Sequence, residues 1–214
     1  MKTCVIFCAA GFDGLIAPIP GEALTIAADG GLRHTQALGI QPEVILGDFD
    51  SLGYVPEGSR VFPVEKDDTD AMLAARLGLE RGCGEFLFYG AMDGPRLDHT
   101  IANFQTLAYL AEHNARGWLI GKDYIATVAC RETLTFPKEA TGILSAFCLG
   151  ADIPDLTLKG LHYPLEHGQL SAAFPLGVSN HFVGEPAEVT LGEGLLLLLW
   201  DRSNGLCRRK PLGG

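Results

Sequence analysis

The chain has 214 residues, of which 47% are hydrophobic and 20% are charged, and its net charge is -10. This length allows one large domain or two small ones with a buried core. The negative charge argues against a nucleic-acid partner, because lysine and arginine bind phosphate backbones. It does not exclude a nucleotide whose phosphates are carried by a metal ion.

The cysteines and the apolar runs bear on the compartment. The six cysteines form no Cys-x-x-Cys pair, so we expect free thiols in a reducing cytoplasm. The apolar run Val5–Ala10 is too short for a signal peptide, and Leu195–Trp200 is too short to cross a bilayer. We therefore interpret both runs as buried strands and expect no membrane partner.

Strands and helices alternate in the first half of the chain. The predicted elements are, in order, strands Cys4–Ala9 and Ala23–Ala28, helix Leu32–Leu38, strands Val44–Leu46 and Arg60–Val64, a helix from Asp68 or Thr69 to Arg81, strand Phe86–Tyr89, a helix from Leu97 or Asp98 to Asn114, and strand Trp118–Ile120. Such alternation predicts a mostly parallel, Rossmann-like sheet with flanking helices, an α/β domain over residues 1–130.

The pattern changes after about residue 130. Helical periodicity disappears, and short apolar runs recur between Gly, Pro and Asn residues, which is typical of an all-β sandwich. The predicted strands are Thr133–Phe136, Ile143–Cys148, Leu156–Lys159, Leu170–Ala173, Glu188–Leu191 and Leu195–Trp200. We therefore predict a β-sandwich domain over residues 131–214, with a loosely held tail from Ser203 onward.

Two carboxylates follow the third predicted strand, in Gly47-Asp48-Phe49-Asp50-Ser51. If the backbone stays extended through Phe49, Asp48 and Asp50 point the same way. Adjacent carboxylates repel unless a cation lies between them, and Mg²⁺ prefers such oxygen ligands. A polar turn with an Asx or Ser cap explains the same residues without a metal.

A second acidic cluster, Lys66-Asp67-Asp68-Thr69-Asp70, begins a predicted helix. Acids at a helix start interact favourably with its macrodipole, which accounts for one or two of them. Asp67 and Asp70 can share one face of the first turn. Asp70 is therefore the candidate third ligand of a metal at Asp48 and Asp50.

Two glycine-containing segments offer phosphate-binding geometry. Asp29-Gly30-Gly31 ends a strand before a helix, where glycines allow close approach of the backbone to a ligand, although a plain turn has the same composition. The loop from Gly90 leads through Arg96 to a helix start, and such a loop can hold a phosphate.

The helix after that loop carries further polar candidates. His99 and Asn103 are four residues apart and share one face. Asp98 as a helix cap and His99 as a core histidine are the structural alternatives. The chain contains no Gly-x-x-x-x-Gly-Lys-[Ser/Thr] and no Gly-x-Ser-x-Gly, which excludes P-loop and α/β-hydrolase chemistry. The absence of Gly-x-Gly-x-x-Gly after a strand weakens a dinucleotide oxidoreductase.

The order of these motifs resembles the thiamine pyrophosphokinase family. The matching segments are Ala28-Asp29-Gly30-Gly31, Gly47–Ser51, Lys66–Asp70, Arg96-Leu97-Asp98-His99 with Ala102-Asn103, Gly160–Leu165 and Gly177–Asn180. The resemblance implies an α/β catalytic domain, a C-terminal β-sandwich and a homodimer with active sites near the subunit interface. It also implies transfer of a pyrophosphoryl group from ATP to the hydroxyl of thiamine, giving thiamine diphosphate and AMP.

The resemblance also implies roles for individual residues. Mg²⁺ would bind Asp48, Asp50 and Asp70. Catalysis would involve Asp70, Arg96 and Asp98, with Asp70 or Asp98 accepting the hydroxyl proton. The substrate-binding candidates are Asp29, Gly30, Lys66, Asp67, His99, Asn103, Ser179 and Asn180, of which Ser179 and Asn180 match the part of the β-domain that holds thiamine.

One departure and two alternatives stay open. The family's loop reads Gly-x-x-Gly-Gly-Arg-x-Asp-His, whereas here it is one residue longer and has Pro95 in place of a glycine. Proline fixes its own φ and restricts Gly94, so we expect an altered loop backbone. The alternative functions are a pyrophosphokinase acting on another alcohol, such as a hydroxymethylpterin, and a non-catalytic thiamine-binding protein.

Overall fold

The computed structural model describes residues 1–49, 52–61 and 68–212. The chain divides into two compact units, Met1–Lys122 and Asp123–Gly214. The boundary predicted after residue 130 stays a prediction. The compact units divide before Tyr124–Ala129, a strand that the sequence pattern did not reveal, because this strand pairs with Leu196–Asp201 of the second unit.

The first unit contains a sheet whose described pairings are all parallel. Its elements are β1 Lys2–Phe7, β2 Leu24–Ala28, α1 Leu32–Ala37, β3 Val44–Gly47, β4 Arg60–Val61, α2 Asp70–Glu80, β5 Cys83–Tyr89, α3 Leu97–Glu112 and β6 Arg116–Ile120. The strand order is β6-β5-β1-β2-β3-β4. Because β1 lies in the middle, it is buried on both faces, and Cys4 to Phe7 are fully inaccessible.

The connections of this sheet create a switch point. The chain passes from β1 outward through β2 and β3 to β4, and then returns to place β5 on the other side of β1. In open α/β sheets, ligands bind beyond the carboxyl ends of the strands at such a reversal. We therefore expect a ligand site among the residues that follow β1, β2, β3 and β5.

Helix α2 is held at its start and along its length. The Thr69 side chain accepts a hydrogen bond from the Met72 backbone N–H at 3.2 Å, so Thr69, one of the two residues predicted to begin this helix, is its N-cap. Further along, a Cβ at Gly78 would lie 2.4 Å from the Phe86 ring, so the helix packs directly on β5. The start of α2, where Asp70 lies, is thereby fixed relative to the sheet.

The second unit contains two antiparallel sheets. Its strands are β7 Tyr124–Ala129, β8 Glu132–Phe136, β9 Ile143–Cys148, β10 Ile153–Lys159, β11 Leu165–Leu170, β12 Asn180–His181, β13 Ala187–Leu191, β14 Leu196–Asp201 and β15 Arg208–Pro211. The orders are β12-β9-β14-β7 and β11-β10-β13-β8-β15. The prediction of a C-terminal all-β sandwich is confirmed, and its described strand pairings are antiparallel.

Strand pairing over the whole chain is therefore mixed. The pairings described in the first unit are parallel, and those in the second are antiparallel. A mostly parallel, Rossmann-like sheet is not confirmed for the chain as a whole. The mixture arises because β14 of the second unit pairs antiparallel with both β7 and β9, and antiparallel pairing needs no helical crossover.

The prediction of a loosely held tail is wrong for the described residues up to Leu212. β15 pairs with β8, and the Arg209 side chain, which is only 2% exposed, forms an ion pair with Glu132. Arg209 also donates hydrogen bonds to Thr127 Oγ1 at 2.6 Å and to the Val128 carbonyl at 2.8 Å. A single buried arginine thus anchors a tail whose sequence shows few apolar residues.

Two smaller expectations concern cysteines and membranes. All six cysteines are free thiols, as predicted. Among the helices of the described residues, none has both the length and the apolar character that crossing a membrane requires.

Candidate active site

A cleft of about 680 Å³ opens at the carboxyl ends of the parallel strands in the first unit. Its walls come from the segments after β1, β2, β3 and β5 and from the first turns of α2 and α3. The polar and charged side chains that line it include Asp29, Arg33, Asp48, Thr69, Asp70, Arg96, His99, Thr100 and Asn103. The cleft coincides with the switch point of the sheet.

Three carboxylates meet in this cleft. Asp29 follows β2, Asp48 follows β3, and Asp70 begins α2. One oxygen from each residue lies within 4.8 Å of the other two. Asp29 is 9% exposed and the other two are half-buried. Three separate segments of the chain therefore bring negative charge to one point.

The backbone explains how Asp29 and Asp48 come so close. Gly47 has φ 147°, and a Cβ at this position would lie 3.1 Å from Cα and Cβ of Asp29. A side chain at Gly47 would therefore press against Asp29. The left-handed φ of Asp29, 47°, turns the chain sharply at the end of β2.

The three oxygens fit the ligand set of a magnesium ion. Mg²⁺ binds oxygen at about 2.1 Å, so ligands on opposite sides of it lie about 4.2 Å apart. Separations of up to 4.8 Å require only a small inward movement of the side chains. Without a cation, three carboxylates at this spacing repel one another.

The Cys8 thiol lines the same cleft, and the nearby carboxylates change its pKa. Burial first, and the carboxylates of Asp70 and Asp29 after it, together raise the pKa of this thiol to about 12. A thiolate in this position would add a fourth negative charge. Cys8 therefore lines the cleft as a neutral thiol and not as a nucleophile.

The predicted metal ligands are brought together in part. Asp48 and Asp70 lie in the cluster as predicted, and Asp29, which we had expected to bind substrate, is the third member. Asp50 lies outside the described residues. The extended backbone assumed through Phe49 is wrong, because Phe49 has φ 62° and its side chain is buried. Alternation along a strand therefore does not apply beyond Asp48.

Two of the predicted catalytic residues bind each other: Arg96, directly before α3, and Asp98, in the first turn of α3. Arg96 Nε donates to Asp98 Oδ1 at 2.9 Å, and Arg96 Nη2 donates to Asp98 Oδ2 at 2.6 Å. This hydrogen-bonded pairing lowers the pKa of the fully exposed Asp98 carboxyl to about 2. Of the two, Arg96 lines the cleft and Asp98 does not.

His99 and Asn103 both line the cleft from α3, as their spacing predicts. His99 is exposed, whereas Asn103 is buried and donates from Nδ2 to the Ala91 carbonyl at 2.7 Å. Asn103 therefore fixes the first part of the β5–α3 loop. The longer loop is also tied at Asp93, whose carboxylate accepts a hydrogen bond from the Lys122 N–H at 2.8 Å.

The remaining predicted residues lie elsewhere. Gly30 is buried in a 3₁₀ turn, Asp29–Gly31, and is not among the described residues that line the cleft. Lys66 and Asp67 lie outside the described residues. Ser179 and Asn180 belong to the second unit.

Asn180 is buried in the second unit, where its side chain is held by hydrogen bonds to the backbone. It is 5% exposed, and its Oδ1 accepts hydrogen bonds from the Tyr163 N–H at 3.0 Å and from the His181 N–H at 2.9 Å. Its Nδ2 donates to the Tyr163 carbonyl at 2.8 Å. Ser179, at φ 58°, donates its N–H to Ser145 Oγ at 3.0 Å. Asn180 thus positions the exposed Tyr163.

Sequence reasoning missed three polar residues of the cleft: Arg33, Thr69 as a wall residue, and Thr100. Arg33 follows Asp29-Gly30-Gly31 by two positions, and this spacing from a strand end was the available signal. Thr100 lies one residue after His99 at the start of α3. Neither residue type is distinctive without the fold.

The chain is similar to thiamine pyrophosphokinases in sequence and in structure. The family model for the thiamin pyrophosphokinase catalytic domain matches residues 19–119, and the model for the vitamin B1 binding domain matches residues 131–196. The curated thiamine pyrophosphokinase of Bacillus subtilis strain 168 is 29% identical over 212 residues, which cover 93% of this chain and 98% of that protein.

Solved structures show the same similarity. The crystal structure of thiamine pyrophosphokinase from Bacillus subtilis has a TM-score of 0.83 at 25% identity and covers 94% of this chain and 99% of its own. That of thiamin pyrophosphokinase from Geobacillus thermodenitrificans has a TM-score of 0.78 at 22% identity and covers 94% and 97%. The second likeness shows the fold alone.

Proposed function

The chain belongs to the thiamine pyrophosphokinase family, and on this premise we propose that its cleft transfers a pyrophosphoryl group from ATP to thiamine. The products are thiamine diphosphate and AMP. The observation that carries the proposal is the meeting of Asp29, Asp48 and Asp70 within 4.8 Å at the switch point of the sheet. The parallel strands of the first unit serve as a Rossmann-like nucleotide-binding sheet.

The acidic cluster is the proposed magnesium site. Asp29, Asp48 and Asp70 would hold Mg²⁺, which supplies positive charge for the phosphates of ATP. The side chains of the cleft position the substrates, because phosphoryl-type transfers depend mainly on orientation and electrostatic stabilisation. Arg96, at the rim, donates its N–H groups to phosphate oxygens.

The bond changes follow from the products. The thiamine hydroxyl oxygen attacks the β-phosphorus, and the bond from that phosphorus to the oxygen bridging the α- and β-phosphates breaks. AMP leaves with this bridging oxygen, and the hydroxyl proton passes to a carboxylate. Asp70 lines the cleft, whereas Asp98 does not and has a pKa near 2 while Arg96 holds it. Asp70 is therefore the proposed proton acceptor.

The second unit is proposed to bind thiamine through the segment of Ser179 and Asn180. The hydrogen bonds of Asn180 to Tyr163 support a positioning role for this segment. The family model of a vitamin B1 binding domain covers the same residues.

A homodimer with active sites near the subunit interface completes the proposal. Exposed apolar side chains of the second unit support such an interface, namely Tyr163, Phe174, Leu176, Val178 and Val183. Sedimentation at micromolar concentration should give the mass of two chains, and a monomer would contradict the dimer. The six free thiols support a cytoplasmic location.

The direct test is incubation of the protein with ATP, MgCl₂ and thiamine, followed by chromatography of the nucleotides and thiamine esters. We expect AMP and thiamine diphosphate in equal amounts. Formation of ADP and thiamine monophosphate would contradict pyrophosphoryl transfer. A parallel reaction with a hydroxymethylpterin tests the alternative acceptor, and thiamine binding without AMP release would indicate a non-catalytic binder.

A further inference from the structure

The loop between β5 and α3, residues 90–96, forms one wall of the cleft. The stretches 90–91 and 94–96 line the cleft, whereas Met92 and Asp93 between them are not among the described residues that do so. Met92 is buried and Asp93 is exposed. The loop therefore faces the proposed nucleotide site with its two ends, and its middle contacts other parts of the first unit.

The first end of this loop is held by the segment after β1 and by α3. The Ala10 N–H donates to the Gly90 carbonyl at 2.9 Å. A Cβ at Gly90, which has φ 69°, would lie only 2.4 Å from the Ala10 carbonyl oxygen. Asn103 Nδ2 donates to the Ala91 carbonyl at 2.7 Å. These contacts fix residues 90–91 and do not involve Asp93.

The Asp93 carboxylate holds the middle of the loop. Its Oδ2 accepts a hydrogen bond from the Lys122 backbone N–H at 2.8 Å. Lys122 follows β6 by two positions, and β6 pairs with β5, from which the loop starts. The donor is a backbone group beside a strand end, so the sheet sets its position. A hydrogen bond to an ionised carboxylate is also stronger than one between neutral groups.

Lys122 brings this hydrogen bond next to a second wall of the cleft. A Cβ at Gly11 would lie 3.2 Å from Lys122 Cε, and a Cβ at Gly94 would lie 3.1 Å from Ala10 Cβ. The segment after β1, the end of β6 and the loop therefore pack together around Asp93. A shift of the loop at this point would move the cleft wall that begins at Gly94.

The backbone at Asp93 limits which residues fit there. Its φ of 59° lies in the left-handed region, which aspartate and asparagine tolerate better than most residues and which glycine adopts without steric cost. Aspartate, asparagine and glycine therefore suit the same turn. They differ in whether a side-chain oxygen is present to accept the Lys122 N–H.

We propose that Asp93 is a positioning residue for the nucleotide, whose hydrogen bond to Lys122 fixes residues 94–96 at the wall of the cleft where the phosphates of ATP bind. The inference rests on the proposed function and names a residue that shapes its nucleotide site without touching the nucleotide. When the hydrogen bond is lost, residues 94–96 have more conformational freedom. Ordering them on binding then lowers the affinity for the nucleotide.

Asp93→Gly and Asp93→Asn separate the hydrogen bond from the backbone conformation. Glycine keeps the left-handed turn and removes the acceptor, whereas the asparagine amide oxygen still accepts the Lys122 N–H. The probe is α,β-methylene-ATP with Mg²⁺, in which carbon replaces the oxygen between the α- and β-phosphates, and its Kd is measured by calorimetry. We expect Asp93→Gly to raise Kd and the KM for ATP at least tenfold, and Asp93→Asn to raise them no more than threefold.

Asn114→Gly is the matched control. Asn114 is exposed, has φ 57° and lies just beyond the C-terminal end of α3, so this change also replaces a left-handed residue by glycine. It should leave Kd and both KM values unchanged. In Asp93→Gly, the thermal midpoint and the KM for thiamine should match those of wild type, because the proposed thiamine-binding segment belongs to the second unit. A general structural defect would change them together with Kd.

Two results would overturn the proposal. One is a Kd of Asp93→Gly within twofold of wild type. The other is an equal loss of affinity in Asp93→Gly and Asp93→Asn, which would show that the negative charge of Asp93 matters and that its hydrogen bond to Lys122 does not.

The two proposals can fail separately. If wild type binds the probe and forms AMP but Asp93→Gly binds the probe normally, only the role of Asp93 is wrong. If wild type binds the probe and forms no AMP, the pyrophosphokinase activity is wrong, and the comparison of variants still decides the role of Asp93. If wild type does not bind the probe, both proposals are wrong.

Discussion

The two units of this chain use clusters of polar side chains for different purposes. In the first unit, Asp29, Asp48 and Asp70 meet at a cleft, where their mutual repulsion favours a bound cation. In the second unit, Arg209 pairs with Glu132, and Asn180 bonds to the Tyr163 backbone. A polar cluster that faces a cleft indicates chemistry, whereas one whose members bind one another supports the architecture.

The largest expected effect is on the acidic cluster. Asp48→Asn and Asp70→Asn should each lower the rate of AMP formation by about 100-fold or more, because loss of a metal-binding charge removes several kcal/mol of stabilisation. The protein should stay folded, since neutral side chains relieve repulsion. Glu43→Gln, a surface change in the same unit, is the control. Wild-type turnover in both cluster variants would contradict the site.

The second prediction concerns the stability of the second unit, in which Arg209 and Glu132 form a buried ion pair. Arg209→Ala should lower the free energy of unfolding by about 3 kcal/mol or more, because Glu132 is left buried without its partner charge. Urea unfolding followed by fluorescence measures this value. The exposed neighbour Arg208 provides the control, and Arg208→Ala should change stability by no more than about 0.5 kcal/mol. Equal effects of the two changes would show that the buried pair has no special role.

Asn180 should combine a smaller structural effect with a functional one. Asn180→Ala leaves the Tyr163 N–H and carbonyl without their side-chain partners, which should cost about 1–3 kcal/mol of stability. If Asn180 positions the thiamine-binding segment, KM for thiamine should rise while KM for ATP stays constant. The exposed Gln169→Ala is the control. An equal rise of both KM values would argue against a thiamine-specific role.

The smallest expected effect is a pKa change in the first unit. Arg96 lowers the pKa of Asp98 to about 2, so Arg96→Gln should return it towards the ordinary value of about 3.9. The stabilisation from this pairing is present above the ordinary pKa and is lost as the pH falls towards 2. An NMR titration of the Asp98 carboxyl carbon in both proteins measures the change. An unchanged pKa would show that Arg96 is not its cause.

Sequence reasoning succeeded where the signal was local. The cap at Thr69 was predictable because a threonine side chain can accept the third backbone N–H that follows it. His99 and Asn103 were predicted to share a face because helical spacing alone decides it. Asp48 and Asp70 were also predicted from local signals, because Asp48 follows a strand and Asp70 begins a helix.

It failed where distant segments decide the outcome. The grouping of Asp29 with Asp48 and Asp70 was not predicted, because nothing in its neighbourhood reveals that Gly47 would bring β3 against it. The extended backbone expected at Phe49 is absent, because this side chain turns into the core. The tail around Arg209 was expected to be loose, since its anchor, Glu132, lies far away in the chain.

Short-range patterns were enough to predict the family, the alternation of strands and helices, the β-sandwich and most of the residue types at the site. The folded chain was needed to show which carboxylates meet, that Arg33 lines their cleft, and that Arg96 binds Asp98. Carboxylate oxygens must come within a few ångströms of one another to hold one ion. Parallel pairing of strands that are remote in the chain sets those distances.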